Sequence, residues 1–125
     1  MITGIEHIGV FAKDTEALKD WYIKLFDFKT VYDNGKGTFF LKAPDGSMLE
    51  FVKTQEDGGI VGDKVSGIRH LAFSVDNFEE MVEKLSDANV QVVSEAVVSA
   101  KGIKTFFFRD PEGNVIHLIN RPQPL

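Results

Sequence analysis

The chain repeats itself, and the repeat constrains its fold more than any other feature. Gly4-Ile5-Glu6-His7-Ile8-Gly9-Val10-Phe11 aligns with Gly67-Ile68-Arg69-His70-Leu71-Ala72-Phe73-Ser74 at an offset of 63. The segment from Thr38-Phe39-Phe40 to Glu50-Phe51 aligns with that from Thr105-Phe106-Phe107 to His117-Leu118 at an offset of 67, so a four-residue indel separates the two blocks. Each block pair shares more than a turn signature: a Thr-Phe-Phe run precedes both Pro-acid-Gly turns. The fold must therefore use one supersecondary unit twice.

Each half reads as a strand, a helix and three strands. In the first half, Ile5–Phe11 is rich in strand formers. Asp14 is placed to cap a helix, and Leu18, Trp21, Tyr22, Leu25 and Phe26 form one apolar helical face. Strands are expected near Lys29–Asp33, Thr38–Lys42 and Ser47–Lys53, with Asn34-Gly35 as a hairpin turn and Pro44-Asp45-Gly46 as a second tight turn. In the second half, Gly67–Val75 reads as the strand. Asn77 and Glu80 suggest a capping box, and Phe78, Met81, Val82, Leu85 and Ala88 form the helical face. Strands are expected near Val90–Val93, Thr105–Arg109 and Asn114–Asn120. Hairpin connections of this kind do not suit a doubly wound parallel sheet. The fold class is α+β: two tandem βαβββ modules, about 1–55 and 67–122, joined by the Gly- and Asp-rich linker 54–66 within a single domain, 1–125.

The 125 residues suffice for one real core without staples. Without cysteine, disulfides, thiol nucleophiles and thiolate metal sites are excluded, and a reducing, cytoplasmic setting is expected. A net charge of −5 argues against a broad nucleic-acid-binding face. No apolar run is long enough for a membrane helix, and the N-terminal residues lack the pattern of a signal peptide. The expected partner is a small molecule.

The three histidines carry the chemistry. His7 and His70 hold equivalent places in the first strand of each half, and His117 lies in the last strand at the place that Glu50 holds in the first half. If a pseudo-two-fold axis relates the halves, all four converge on it. Strand alternation gives each a shared face: Met48, Glu50 and Val52; Ile68, His70, Ala72 and Ser74; Val115, His117 and Ile119. Gly9 leaves room beside His7. An ionised Glu50 between Leu49 and Phe51 is costly unless paired or metal-bound. Imidazole and carboxylate donors suit Zn, Ni, Co, Fe or Mn. A metal-free binding pocket lined by the same polar groups is the other reading. Lys42, Arg69 and Arg109 are candidates for holding a substrate carboxylate or phosphate, or are surface charges. Alternate members of the Phe39-Phe40 and Phe106-Phe107-Phe108 runs should face the core, and the others a pocket.

The paired modules, the histidine-bearing first strands and the motifs His70-Leu71-Ala72-Phe73-Ser74-Val75-Asp76 and Phe108-Arg109-Asp110-Pro111-Glu112-Gly113-Asn114 resemble the vicinal oxygen chelate superfamily over roughly residues 4–122. That group holds glyoxalase I, extradiol dioxygenases, and fosfomycin- and bleomycin-resistance proteins. The resemblance implies a curved mixed sheet around a central cavity that holds a metal, within a homodimer. It is nearest the glyoxalase I-like branch, in which His7, Glu50 and His70 match metal positions and His117 stands where a glutamate is usual. Three neutral imidazoles and one carboxylate leave a divalent centre more positive than two carboxylates would. They also leave Glu50 as the only carboxylate of the set, the candidate proton-transfer base. Gly9 stands where glyoxalase I proper tends to carry a basic residue, which weakens glutathione as cosubstrate. The implied activity is that of a metal-dependent lyase or isomerase. It would act on a small substrate with vicinal oxygens, abstracting a proton to give an enediolate. Zn or Ni is the favoured metal, ahead of Co, Fe or Mn. The alternatives are an Fe-dependent dioxygenase and a non-catalytic binding or resistance protein.

Overall fold

The expected order of strand, helix and three strands appears twice in the computed structural model, which describes residues 1–58, 62 and 64–125. The chain divides into two units, Met1–Gly58 and Gly59–Leu125. Part of the expected linker, 54–66, lies outside the described residues.

The first unit contains β1 (His7–Ala12), α1 (Thr15–Phe26), β2 (Lys29–Asp33), β3 (Phe39–Lys42) and β4 (Met48–Lys53). Its sheet runs β1-β4-β3-β2, with β1 parallel to β4 and the other pairs antiparallel. The parallel pair needs a crossover, and α1 supplies it. Asp14 caps this helix by accepting a hydrogen bond from the Ala17 amide at 3.0 Å. Asp27 ends it in the left-handed region, φ 56°. Leu18, Tyr22 and Leu25 bury their face against Leu41, Leu49 and Phe51 of the sheet, with the Tyr22 and Phe51 rings 5.2 Å apart. Trp21, on the same apolar stripe, is only half-buried and packs edge-on against Tyr22 and Phe26.

The second unit contains β5 (Leu71–Ser74), α2 (Phe78–Asp87), β6 (Gln91–Val98), β7 (Lys104–Arg109) and β8 (Val115–Asn120). The sheet order is β5-β8-β7-β6, the same topology. Phe106, Phe108, Ile116 and Leu118 are fully buried, together with Phe78 and Leu85 of α2.

Four local expectations need correcting. The first strand of the second half is shorter than expected, so His70 precedes β5. β6 extends to Val98 and carries two register shifts, which let an eight-residue strand follow the six-residue β7. Asn77 does not cap α2 through a backbone amide: its side-chain amide donates to Glu80 at 3.5 Å. Asn34-Gly35 opens a five-residue loop rather than a two-residue turn. There Asn34 Oδ1 accepts from the Lys36 and Thr38 amides, and both Gly35 and Gly37 take positive φ.

The two Pro-acid-Gly turns share one backbone. Gly46 N–H donates to Ala43 and Gly113 N–H to Asp110, both at 2.9 Å. Both glycines sit near φ +92°, at +91° and +93°, where a side chain would be strained. Only the polar support differs: Asp45 accepts from Ser47, whereas buried Asp110 accepts from the Glu112 and Asn114 amides and the Asn114 side chain.

Candidate metal centre

The turns set the register that places the candidate ligands. On β1 and β4, Gly9 lies opposite Glu50, and Phe40 of β3 lies on Glu50's other side. On β5 and β8, Ala72 lies opposite His117, and Phe107 of β7 lies on its other side. The second quartet repeats the first position by position. Leu49 and Phe51, like Ile116 and Leu118, face the helix; Glu50 and His117 point to the opposite face of their sheets.

In the first unit, His7 Nε2 lies 3.7 Å from Glu50 Oε1, and His7 Nδ1 lies 3.1 Å from Glu6 Oε1. The Phe40 ring packs edge-on against His7 at 5.1 Å. Gly9 lies against Glu50: a Cβ there would stand 3.4 Å from Glu50 Oε1, in contact with the carboxylate, so a long side chain at this position competes for the space beside it. The two side chains keep 35% and 26% of their surface, so the pair is open on one side.

The second unit gives a drier pair. The His70 and His117 rings meet edge to face at 5.1 Å and 87°. Phe107 stacks on His117 at 4.0 Å and touches His70 at 5.5 Å. His117 is 8% exposed. His70 Nδ1 and both nitrogens of His117 are buried without a hydrogen-bond partner. Burial, then the neighbouring His70, Arg69 and Arg121, pushes the His117 pKa down to about 4. Burial, then Arg69, also lowers that of His70. Both rings are neutral at pH 7, the form that ligates metals. Orphaned buried nitrogens are rare because each costs desolvation without return. Neutral imidazole donors of this kind fit a borderline divalent cation.

Among the described residues, no group of three or more His, Cys, Asp or Glu is gathered as a cation cluster. The four expected ligands stand as two pairs, His7 with Glu50 and His70 with His117. The candidate cations separate. Arg109 donates to the Gly113 carbonyl at 2.9 Å and so serves the turn. Lys42 is exposed. Arg69 lies over the Phe107 ring at 5.3 Å, beside the imidazole pair. The role of Phe107 under His117 was legible only as alternation within a phenylalanine run, and that of Arg121 gave no sequence signal. Ser99 Oγ accepts from the Lys101 and Ile103 amides and closes the turn between β6 and β7.

Two βαβββ units with polar pairs at matched register define a protein of the glyoxalase fold class. The family model for the glyoxalase/bleomycin resistance protein/dioxygenase superfamily matches residues 4–118, and the chain belongs to that superfamily. A metallothiol transferase, FosB, of Staphylococcus saprophyticus is 23% identical over 121 residues, covering 94% of this chain and 77% of the relative. A glyoxalase family protein from Enterococcus faecalis is 26% identical, with a TM-score of 0.78 over 94% of this chain and 98% of that one. The fosfomycin resistance protein FosX of Listeria monocytogenes, solved with Mn(II) and dihydroxypropylphosphonic acid, shares the fold at 19% identity. Its TM-score is 0.75 over 94% of this chain and 90% of that one. No helix among the described residues is long and apolar enough to cross a membrane.

Proposed function

We propose that the chain is a metal-dependent lyase or isomerase of the glyoxalase type, with one divalent ion held by His7, Glu50, His70 and His117. The ligands come as one pair from each unit, drawn from one chain or from two copies in a homodimer. The observation that carries this reading is the set of three orphaned imidazole nitrogens at His70 and His117, repeat-equivalent to the His7–Glu50 pair. The Mn(II) bound by FosX supports a metal role for this fold and brings Mn, already among the candidates, beside Zn and Ni as an ion to test.

When bound, the ion polarises adjacent substrate oxygens and stabilises the negative charge that develops on them. Glu50 takes the proton α to the substrate carbonyl and returns it to the neighbouring carbon. Gly9 leaves the space this carboxylate needs, at 3.4 Å from where a Cβ would stand. His7, with Glu6 on its Nδ1 side, presents Nε2 toward Glu50. Phe40 and Phe107 form apolar walls behind the ligands and limit water on that side. One carboxylate in the set favours a one-base proton transfer.

The test is proton exchange. Metal-loaded protein in D₂O should wash deuterium into hydroxyacetone, read by NMR. Glu50→Gln should abolish exchange while the fold persists. Retained exchange in that variant removes Glu50 as base. Oxygen uptake with an Fe(II)-loaded protein, without exchange, would move the chain to the dioxygenase class.

A further inference from the structure

The two half-sites differ in charge. The first carries the carboxylates Glu50 and Glu6 around His7. Around the second, the groups acting on His117 besides burial are His70, Arg69 and Arg121, with no carboxylate among them. Among the described residues, neither arginine forms an ion pair with a carboxylate. Arg69 immediately precedes His70, and its guanidinium lies over the Phe107 ring at 5.3 Å. The other neighbour of that ring is His117, stacked at 4.0 Å, with His70 at 5.5 Å. Resting on an aromatic ring orients the guanidinium plane and leaves its N–H fork free for an oxyanion. In a chain of net charge −5, this is a local reversal of sign.

We infer that Arg69, on its Phe107 platform, is a specificity-determining residue that receives a compact oxyanion of the substrate, a phosphoryl, phosphonyl or carboxylate group, beside His70 and His117. Arg121, which also acts on His117, adds positive charge. The guanidinium can take two oxygens of such a group in parallel hydrogen bonds, which a lysine cannot reproduce. The inference rests on the metal reading only in assigning that oxyanion to a substrate. The oxyanion site itself is a property of Arg69, Phe107 and the two imidazoles.

The experiment follows the imidazole resonances of His70 and His117 as inorganic phosphate is added at constant ionic strength. It is run on chelator-treated and on Zn-loaded protein, with metal uptake measured separately by calorimetry. Saturable shifts are expected in the native protein. Arg69→Gln should weaken them at least tenfold, Arg69→Lys should restore part of the response, and Lys42→Gln should leave it unchanged. Acetate titrated in parallel distinguishes carboxylate from phosphoryl recognition. Shifts as strong in Arg69→Gln as in the native chain, or no saturable shift in either state, would overturn the inference. Metal uptake with Arg69-independent phosphate binding sinks this inference alone. Arg69-dependent phosphate binding without metal uptake supports it and sinks the metal reading.

Discussion

Replacing His117 with leucine should stabilise the chelator-treated protein while abolishing its use of metal. The two buried nitrogens of His117 have no hydrogen-bond partner. An unsatisfied buried polar group costs about 1–3 kcal/mol. Leucine removes that cost at the loss of the Phe107 stack, about 0.5–1.5 kcal/mol for a ring pair. The variant should therefore be about 1 kcal/mol more stable at pH 7.5. The pH dependence is the sharper readout. The folded pKa of His117 is pushed down to about 4, chiefly by burial, against about 6.5 unfolded. Between those values the unfolded chain binds the extra proton, so stability falls as pH drops from about 6.5 to 4. The loss reaches about 2 kcal/mol at pH 5 and about 3 kcal/mol below pH 4. His70 shifts in the same direction and is common to both proteins. The advantage of His117→Leu should widen by about 2 kcal/mol between pH 7.5 and pH 5. Urea unfolding followed by far-UV circular dichroism measures it, since Trp21, the one tryptophan, reports only on the first unit. A variant less stable at pH 7.5, or one with the native pH slope, would refute the argument that His117 is held neutral and unsatisfied for a ligand.

Leu118→Ala, at a fully buried position, should cost about 2–5 kcal/mol in urea unfolding, because the cavity adds to the lost transfer energy. Asp110→Ala should lower stability by about 1–3 kcal/mol, since Asp110 accepts from two amides and the Asn114 side chain. Asp45, the exposed acid of the first turn, accepts only from Ser47 and should be far less sensitive when replaced by alanine, in the same unfolding assay. Gly9→Leu should leave the circular dichroism spectrum intact and weaken metal binding by calorimetry, because its side chain enters the space of Glu50.

Much of the fold is written in local pattern. The repeat fixed the order of elements, Asp14 marked the start of α1, and the Pro-acid-Gly turns placed Glu50 and His117 at matching register. Two of the four misreadings arose where side chains competed for hydrogen bonds; the other two were strand lengths, where β5 stops short and β6 runs on through register shifts. Asn34 accepts from two loop amides and so widens its hairpin, and Asn77 turns to Glu80 instead of the helix backbone. The repeat made His7 equivalent to His70 and Glu50 to His117; that His7 stands with Glu50 and His70 with His117 comes from the strand pairing. The dryness of the second pair does not. It depends on Phe107 lying flat against His117, a contact across two strands that alternation alone does not orient. Likewise, three cations looked alike in sequence. Only the turn geometry shows that Arg109 serves the Gly113 carbonyl while Arg69 lies beside the imidazoles.

The central claim is that one divalent ion is held by both polar pairs. The direct measurement is calorimetric titration of Zn, Ni and Mn into chelator-treated protein, with elemental analysis, for the native chain and for Glu50→Ala and His117→Ala. Binding of about one ion per chain is expected, weakened at least a hundredfold by either substitution, since each removes a ligand from a different unit. No uptake of any of the three ions, or uptake indifferent to both substitutions, would contradict it.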